Sequence, residues 1–301
     1  MHRIAWSLAA LAAVFIPSAA RADLDVVATV PDLAALAKEV GGARVRVRTL
    51  ALPTQDPHYV DAKPSLALAL NRADLLLAVG LDLEIGWLPT LQTGARNPRI
   101  QVGADGFLDC SQFVTPLDVP VGPVDRSKGD IHPRGNPHYL TDPRAAEAVA
   151  RGIAARMAQL DPDGAADYRA NLAAFTRRLA AARRGWEARA AKWSGRSVVP
   201  YHNSFHYLTD WLRLSVVAYL EPKPGVKPSP GHVAKVIALG RRQRVRAVLL
   251  EDYYPAATAK LAAAKMGAKL IVVPGGAHVD DGQTYIQRMD QVVGLLEEAL
   301  R

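Results

Sequence analysis

PDGAADYRANLAAFTRRLAAARRGWEARAAKW, residues 162–193, decides how the rest of the chain is read. Tyr168, Leu172, Phe175, Leu179, Trp186 and Trp193 recur at roughly helical spacing, with alanine between them and charges opposite. That is the pattern of an amphipathic helix, and Ser194-Gly195 closes it. A helix of about 30 residues spans about 45 Å, more than one layer of a domain needs. The stretch therefore predicts a strut that crosses the whole molecule.

On both sides of the strut, short apolar strands alternate with helices. Upstream, VVATV (26–30), VRVRTL (45–50) and DLLLAVG (74–80) read as strands, and residues 31–40 and 63–73 as helices. Downstream, SVVPY (197–201), SVVAYL (215–220), AVLLED (247–252) and KLIVVP (269–274) read as strands. Residues 203–213, 230–241, 256–266 and 284–300 are the helices between and after them. Such alternation implies βαβ units and a mostly parallel sheet. The expected fold is α/β, two Rossmann-like lobes with mainly parallel sheets joined by one long backbone helix. The lobes are expected at 23–160 and 196–301, with the connecting helix at 161–195. Proline-rich residues 104–137 break the rhythm and predict a surface loop over or beside a cleft.

The N-terminus and composition narrow the setting. His2 and Arg3 precede an apolar run from Ile4 to Ile16, and Ala20-Arg21-Ala22 is a small-x-small cleavage site. Residues 1–22 are therefore expected to be a secretory signal peptide, leaving a soluble exported chain. Cys110 is the only cysteine, so neither an intrachain disulfide nor a lipidation cysteine near the cleavage site is available. Stability must come from the core, for which about 280 residues suffice. The formal charge of +8 falls to +6 when Arg3 and Arg21 leave. Export argues against nucleic acid, and the basic residues of 177–192 and 241–246 read as solvated helix faces.

The chain has eight histidines, and two stand in matching Pro-His-Tyr settings, TQDPHYVDAKP (54–64) and GNPHYLTDP (135–143). A parallel sheet gathers ligands beyond the carboxyl ends of its strands. His58 follows one strand, His202 follows another directly, and His138 ends the irregular stretch before a helix. Converging neutral imidazoles suit Zn²⁺, with Mn²⁺ or Fe²⁺ less favoured by nitrogen-rich ligation. His232 reads as a solvated first-turn residue and His132 as a surface histidine of the irregular stretch. HNSFH (202–206) has the spacing of zinc-protease helices, but Asn203 stands where a general-base glutamate is required, so His206 reads as a neighbour of the site.

Taken in order, DPHYVDAKPSLALALNRADLLLAVGLDLEIGW (56–87), NPHYLTDP (136–143), YHNSFHYL (201–208), EPKPGVKPSPGHV (221–233) and TYIQRMDQ (284–291) resemble the periplasmic metal-receptor proteins of zinc and manganese ABC importers. The resemblance covers essentially the whole mature chain. It implies high-affinity capture of a divalent metal, Zn²⁺ as cargo ahead of Mn²⁺, and delivery to an ABC permease in the inner membrane. It also implies a soluble periplasmic monomer without enzymatic activity, with a periplasmic metallochaperone as a second candidate partner. Residue by residue, His58 matches the first ligand, in DPH-x-x-x-x-KP, His138 the second, and His202 the third, where glutamate is common in manganese receptors.

The fourth position departs from that pattern. Many relatives carry a carboxylate in Leu-Asp-Pro after the last strand, where this chain reads Val272-Val273-Pro274. The loop GGAHVDDG (275–282) offers Asp281 as the expected fourth ligand, with water, Asp280, His278 and Glu251 as alternatives. A rival reading is a secreted zinc-dependent hydrolase, which needs a general base beside a bound water.

Overall fold

A computed structural model describes residues 24–122 and 132–301. The expected signal peptide at 1–22 lies outside the described residues. Two four-stranded parallel sheets carry the fold. In the first, β1 (Leu24–Ala28), β2 (Val45–Thr49), β3 (Leu75–Ala78) and β4 (Phe107–Asp109) lie in the order β2-β1-β3-β4. In the second, β5 (Ser197–Pro200), β6 (Ser215–Val216), β7 (Ala247–Glu251) and β8 (Lys269–Val273) lie in the order β6-β5-β7-β8. The two halves thus repeat one strand order, which the residue types do not reveal. The central strands are buried along their whole length, as in LLLA of β3 and AVLLE of β7. Strands covered on both faces need such unbroken apolar runs.

The helices are α1 (Pro31–Gly41), α2 (Pro64–Asn71), α3 (Leu88–Ala95), α4 (Pro143–Leu160), α5 (Ala165–Ala190), α6 (His206–Trp211), α7 (Pro230–Arg242), α8 (Ala256–Met266) and α9 (Tyr285–Leu300). Several begin with proline in the first turn, where its missing N–H costs nothing. The caps are local in sequence. Asp142 accepts from the Arg144 amide at the start of α4, and Thr284 with Gln287 forms a capping box on α9. The anticipated alternation is present. Two short elements escape it, β4 inside the irregular stretch and α3.

The predicted strut is α5, 26 residues long, continued by a 3-10 turn at Ala191–Trp193. It buries Tyr168, Phe175, Leu179 and Trp186. Its first half bonds the first lobe, where Asn171 Nδ2 donates to the Val40 carbonyl at 3.2 Å and Arg178 pairs with Glu39. Its second half bonds the second lobe, where Trp186 Nε1 donates to Asp290 and Arg189 pairs with Asp290 and Glu297. One apolar core runs along this helix, from the inner face of the first sheet (Val26, Leu75, Leu77) to that of the second (Val198, Leu249, Ile271). The outer face of each sheet keeps its own cluster, centred on Leu76 and Leu91 in one lobe and on Val199 and Val248 in the other. The carboxyl ends of the strands point their loops at the groove between the lobes.

Candidate metal centre

His58, in the loop after β2, His138, before α4, and His202, two residues beyond β5, meet in that groove. Their rings stand between 5.2 and 5.4 Å apart, centre to centre, and one ligand nitrogen of each lies within 4.8 Å of the others. These three form a mutually close set of metal-ligating side chains.

The paired Pro-His-Tyr settings are two copies of one local device. Asp56 Oδ1 accepts from the His58 backbone N–H at 3.0 Å and lies 2.7 Å from ring Nδ1. Asn136 Oδ1 accepts from the His138 N–H at 3.0 Å and lies 2.8 Å from its Nδ1. In each case an Asx turn across an intervening proline folds the preceding side chain back onto the imidazole. His202 is held from further away, by Glu221 Oε2 at 2.7 Å from Nδ1. Carboxylate and amide oxygens only accept, so each Nδ1 carries the proton and each Nε2 offers its lone pair to the centre.

The electrostatics agree with that assignment. Burial, followed by the three neighbouring imidazoles, pushes His138 well below the ordinary histidine value, so its ring is neutral and able to ligate. Burial pushes the Asp56 carboxyl up, but the hydrogen bond and charge of His58 outweigh it and leave it lowered. Nε2 of His138 is buried with no hydrogen-bonding partner among the described residues. Such an atom is costly unless something binds it.

The fourth expected ligand is not brought to this set. Asp281 closes a 3-10 turn at Val279–Asp281, its side chain 83% exposed and 3.7 Å from His278 of the same loop. The reason is local: the loop docks inward through Ala277, whose N–H donates to Asp32 at 3.1 Å, and through a carbonyl that accepts from Lys38. The aspartates are left facing outward. Neither aspartate caps α9, since Thr284 does.

Two side chains given lesser roles in the sequence stand closer. His132 Nε2 lies 3.3 Å from His58 Nε2, and its ring is 6.4 Å from that of His138. Glu251, at the end of β7, is buried with both carboxyl oxygens unpartnered among the described residues. Burial, reinforced by Asp56 and Glu221, pushes it well above the carboxylate range. It lines an interlobe cavity with His138, Ser204 and Tyr253. His206 bonds Asp118 instead of the centre, and His232 Nε2 bonds the Tyr219 carbonyl. Asp56, Asn136 and Glu221 are the functional side chains that sequence reasoning missed. The x-Pro-His spacing carried the signal for the first two, whereas Glu221 lies nineteen residues from its histidine.

A family model described as zinc-uptake complex component A, periplasmic, matches residues 26–299. The manganese ABC transporter substrate-binding lipoprotein scaA of Streptococcus gordonii is 27% identical over 161 residues, 52% of this chain and 48% of that protein. The high-affinity zinc uptake system protein ZnuA of Paracoccus denitrificans is 25% identical over 224 residues, 64% of this chain and 65% of that protein. The chain thus spans about half to two thirds of the length of these relatives. A crystal structure of ZnuA shares the fold with a TM-score of 0.78 at 24% identity, covering 92% of this chain and 99% of that one.

Proposed function

We propose, from the premise that this chain belongs to the family of the periplasmic component A of zinc-uptake complexes, that it captures one divalent transition-metal ion, Zn²⁺ ahead of Mn²⁺, for import. His58, His138 and His202 hold the ion through Nε2. The observation that carries this reading is the common posture of the three rings, each with Nδ1 tied to an acceptor and Nε2 facing its neighbours. Zinc favours a compact nitrogen-rich tetrahedron, whereas manganese favours oxygen donors. A mutually close set made of three imidazoles, with no carboxylate in it among the described residues, favours the first.

The fourth donor best supported is His132. A tetrahedral zinc centre with Zn–N bonds of about 2.0–2.1 Å has ligand nitrogens about 3.3–3.4 Å apart. The 3.3 Å between His132 and His58 matches one such edge, with His132 standing outside the mutually close set of three. Hydrolysis is disfavoured, because Glu251 is pushed by burial toward its acid form, which cannot take a proton from a bound water. The chain works in the periplasm as a monomer, loaded from solution or by a metallochaperone, and hands its cargo to an inner-membrane ABC permease. Its working parts are the lobes 23–160 and 196–301 on the connecting segment 161–195. Anaerobic titration of the metal-stripped protein, followed by metal analysis, tests the reading. One Zn²⁺ per chain, held against an excess of Mn²⁺, is expected; no retained zinc would overturn it.

A further inference from the structure

If the three histidines hold a metal as proposed, ligands of two separate lobes must be kept in one register. His58 and His138 come from the first lobe and His202 from the second. The seam between them carries a cluster with no part in the set of ligands. Asp118 Oδ2 lies 3.1 Å from Asn136 Nδ2, 3.0 Å from Asn203 Nδ2 and 2.7 Å from His206 Nδ1. Asn136 Nδ2 also donates to the Asn203 carbonyl at 2.8 Å. Asn136 is the residue that orients His138, and Asn203 is the residue after His202.

We propose that Asp118 is a positioning residue for the metal centre, which fixes the amide of Asn136 and thereby the ring state of His138. An asparagine amide can present either its oxygen or its nitrogen to a neighbour, and the surroundings decide which. A carboxylate accepts only, so Asp118 joins the Asn203 carbonyl in drawing Nδ2 of Asn136 and, with the His138 N–H on the other side, keeps Oδ1 turned toward His138. Oδ1 then requires a proton on Nδ1 of His138 and leaves Nε2 bare for metal. A flipped amide would offer Nδ2 to that ring and favour the opposite tautomer, whose Nε2–H cannot ligate.

The backbone around Asp118 is arranged to hold it there. Asp118 sits at φ 53°, a region few residues other than glycine, asparagine and aspartate enter readily. Its neighbour Leu117 donates its N–H to Tyr207 Oη of the second lobe at 2.9 Å and accepts from the Asn136 N–H at 2.8 Å. Tyr207 Oη in turn donates to the Asn136 carbonyl at 2.9 Å. The seam is thus closed by bonds on both sides of the carboxylate.

The test compares Asp118→Ala, which removes the acceptor, with Asp118→Asn, which keeps an oxygen in its place. Nitrogen-15 NMR of the metal-free protein reads the His138 tautomer, and competition with a chelator reads zinc affinity. In Asp118→Ala the single Nδ1–H tautomer should become mixed and zinc affinity should fall about 10–100-fold, the range of residues that orient ligands. Asp118→Asn should restore both to within about threefold, a rescue that a purely structural role would not produce. Should Asp118→Ala not fold, Asp118→Gly, which suits the φ of 53° and also lacks an acceptor, carries the same comparison. An unchanged tautomer and affinity in the acceptor-less variant, or equal loss in both, overturns the proposal. Zinc binding by the wild type in the same assay keeps the metal reading separate from this one.

Discussion

At the scale of single residues, the proposed centre separates side chains that would touch the ion from side chains that aim them. Replacing His58, His138 or His202 by alanine should abolish tight zinc binding, and His232→Ala should leave it intact, because that ring is spent on the Tyr219 carbonyl. Asp56→Ala and Glu221→Ala remove only the acceptor behind a ring and should cost about 10–100-fold. The two readings of the fourth position part most clearly in one pair of variants. His132→Ala should weaken zinc binding at least about tenfold, the lower end of what aiming groups alone are worth. Asp281→Ala should leave it within about twofold, since a carboxylate that exposed feels little of the centre's field. Isothermal titration against a competing chelator checks all of these. Equal losses at His132 and Asp281 would return the fourth place to the 275–282 loop.

At the scale of elements, the contact between the 117–118 turn and α6 predicts a pH dependence of stability. Burial pushes the Asp118 carboxyl up, but hydrogen bonds from His206, Asn136 and Asn203 outweigh it and bring it down to about 2. The bond to Asp118, helped by the charges of Asp118 and Asp210, raises His206 above its ordinary 6.5 against the pull of desolvation. A depressed carboxyl stabilises above its ordinary 3.8 and loses that contribution as pH falls toward about 2. A raised histidine stabilises fully below 6.5 and loses that contribution as pH rises through its folded value. The pair is therefore fully engaged between about pH 4 and 6.5. His206→Ala should lower the melting temperature of metal-free protein more at pH 5.5 than at pH 8.5; equal losses would contradict the pairing. The elements themselves were largely legible in the residues. The aromatic stripe of α5, the apolar runs of β3 and β7 and the histidines at strand ends each rest on periodicity or on neighbours close in sequence. Phe107–Asp109 escaped because three residues carry no period, and Asp281 stands away from the three histidines because the orientation of its loop is set by Asp32 and Lys38, some 240 residues away. Glu221 and Asp118 were hidden for the same reason, since their partners lie 19 and 88 residues along the chain.

At the scale of the whole molecule, the core that runs along α5 predicts one cooperative unfolding transition for the metal-free chain, in place of one for each lobe. Calorimetry decides this, and two resolved peaks would mean that the lobes melt separately. Zinc that binds only the folded form should raise stability by about 4 kcal/mol at a thousandfold excess over Kd, or on the order of 10 °C in melting temperature. A rod of about 39 Å, bonded to the first lobe from Asn171 as far as Arg183 and to the second by Trp186 and Arg189, leaves little freedom for the lobes to swing apart. Loaded and empty forms should then scatter X-rays almost identically, with radii of gyration within about 0.5 Å of each other around the roughly 19 Å expected for this length. On the proposed function, a receiver would have to recognise cargo by the texture of one small face, where the histidine loops surface, and not by the outline of the protein that presents it.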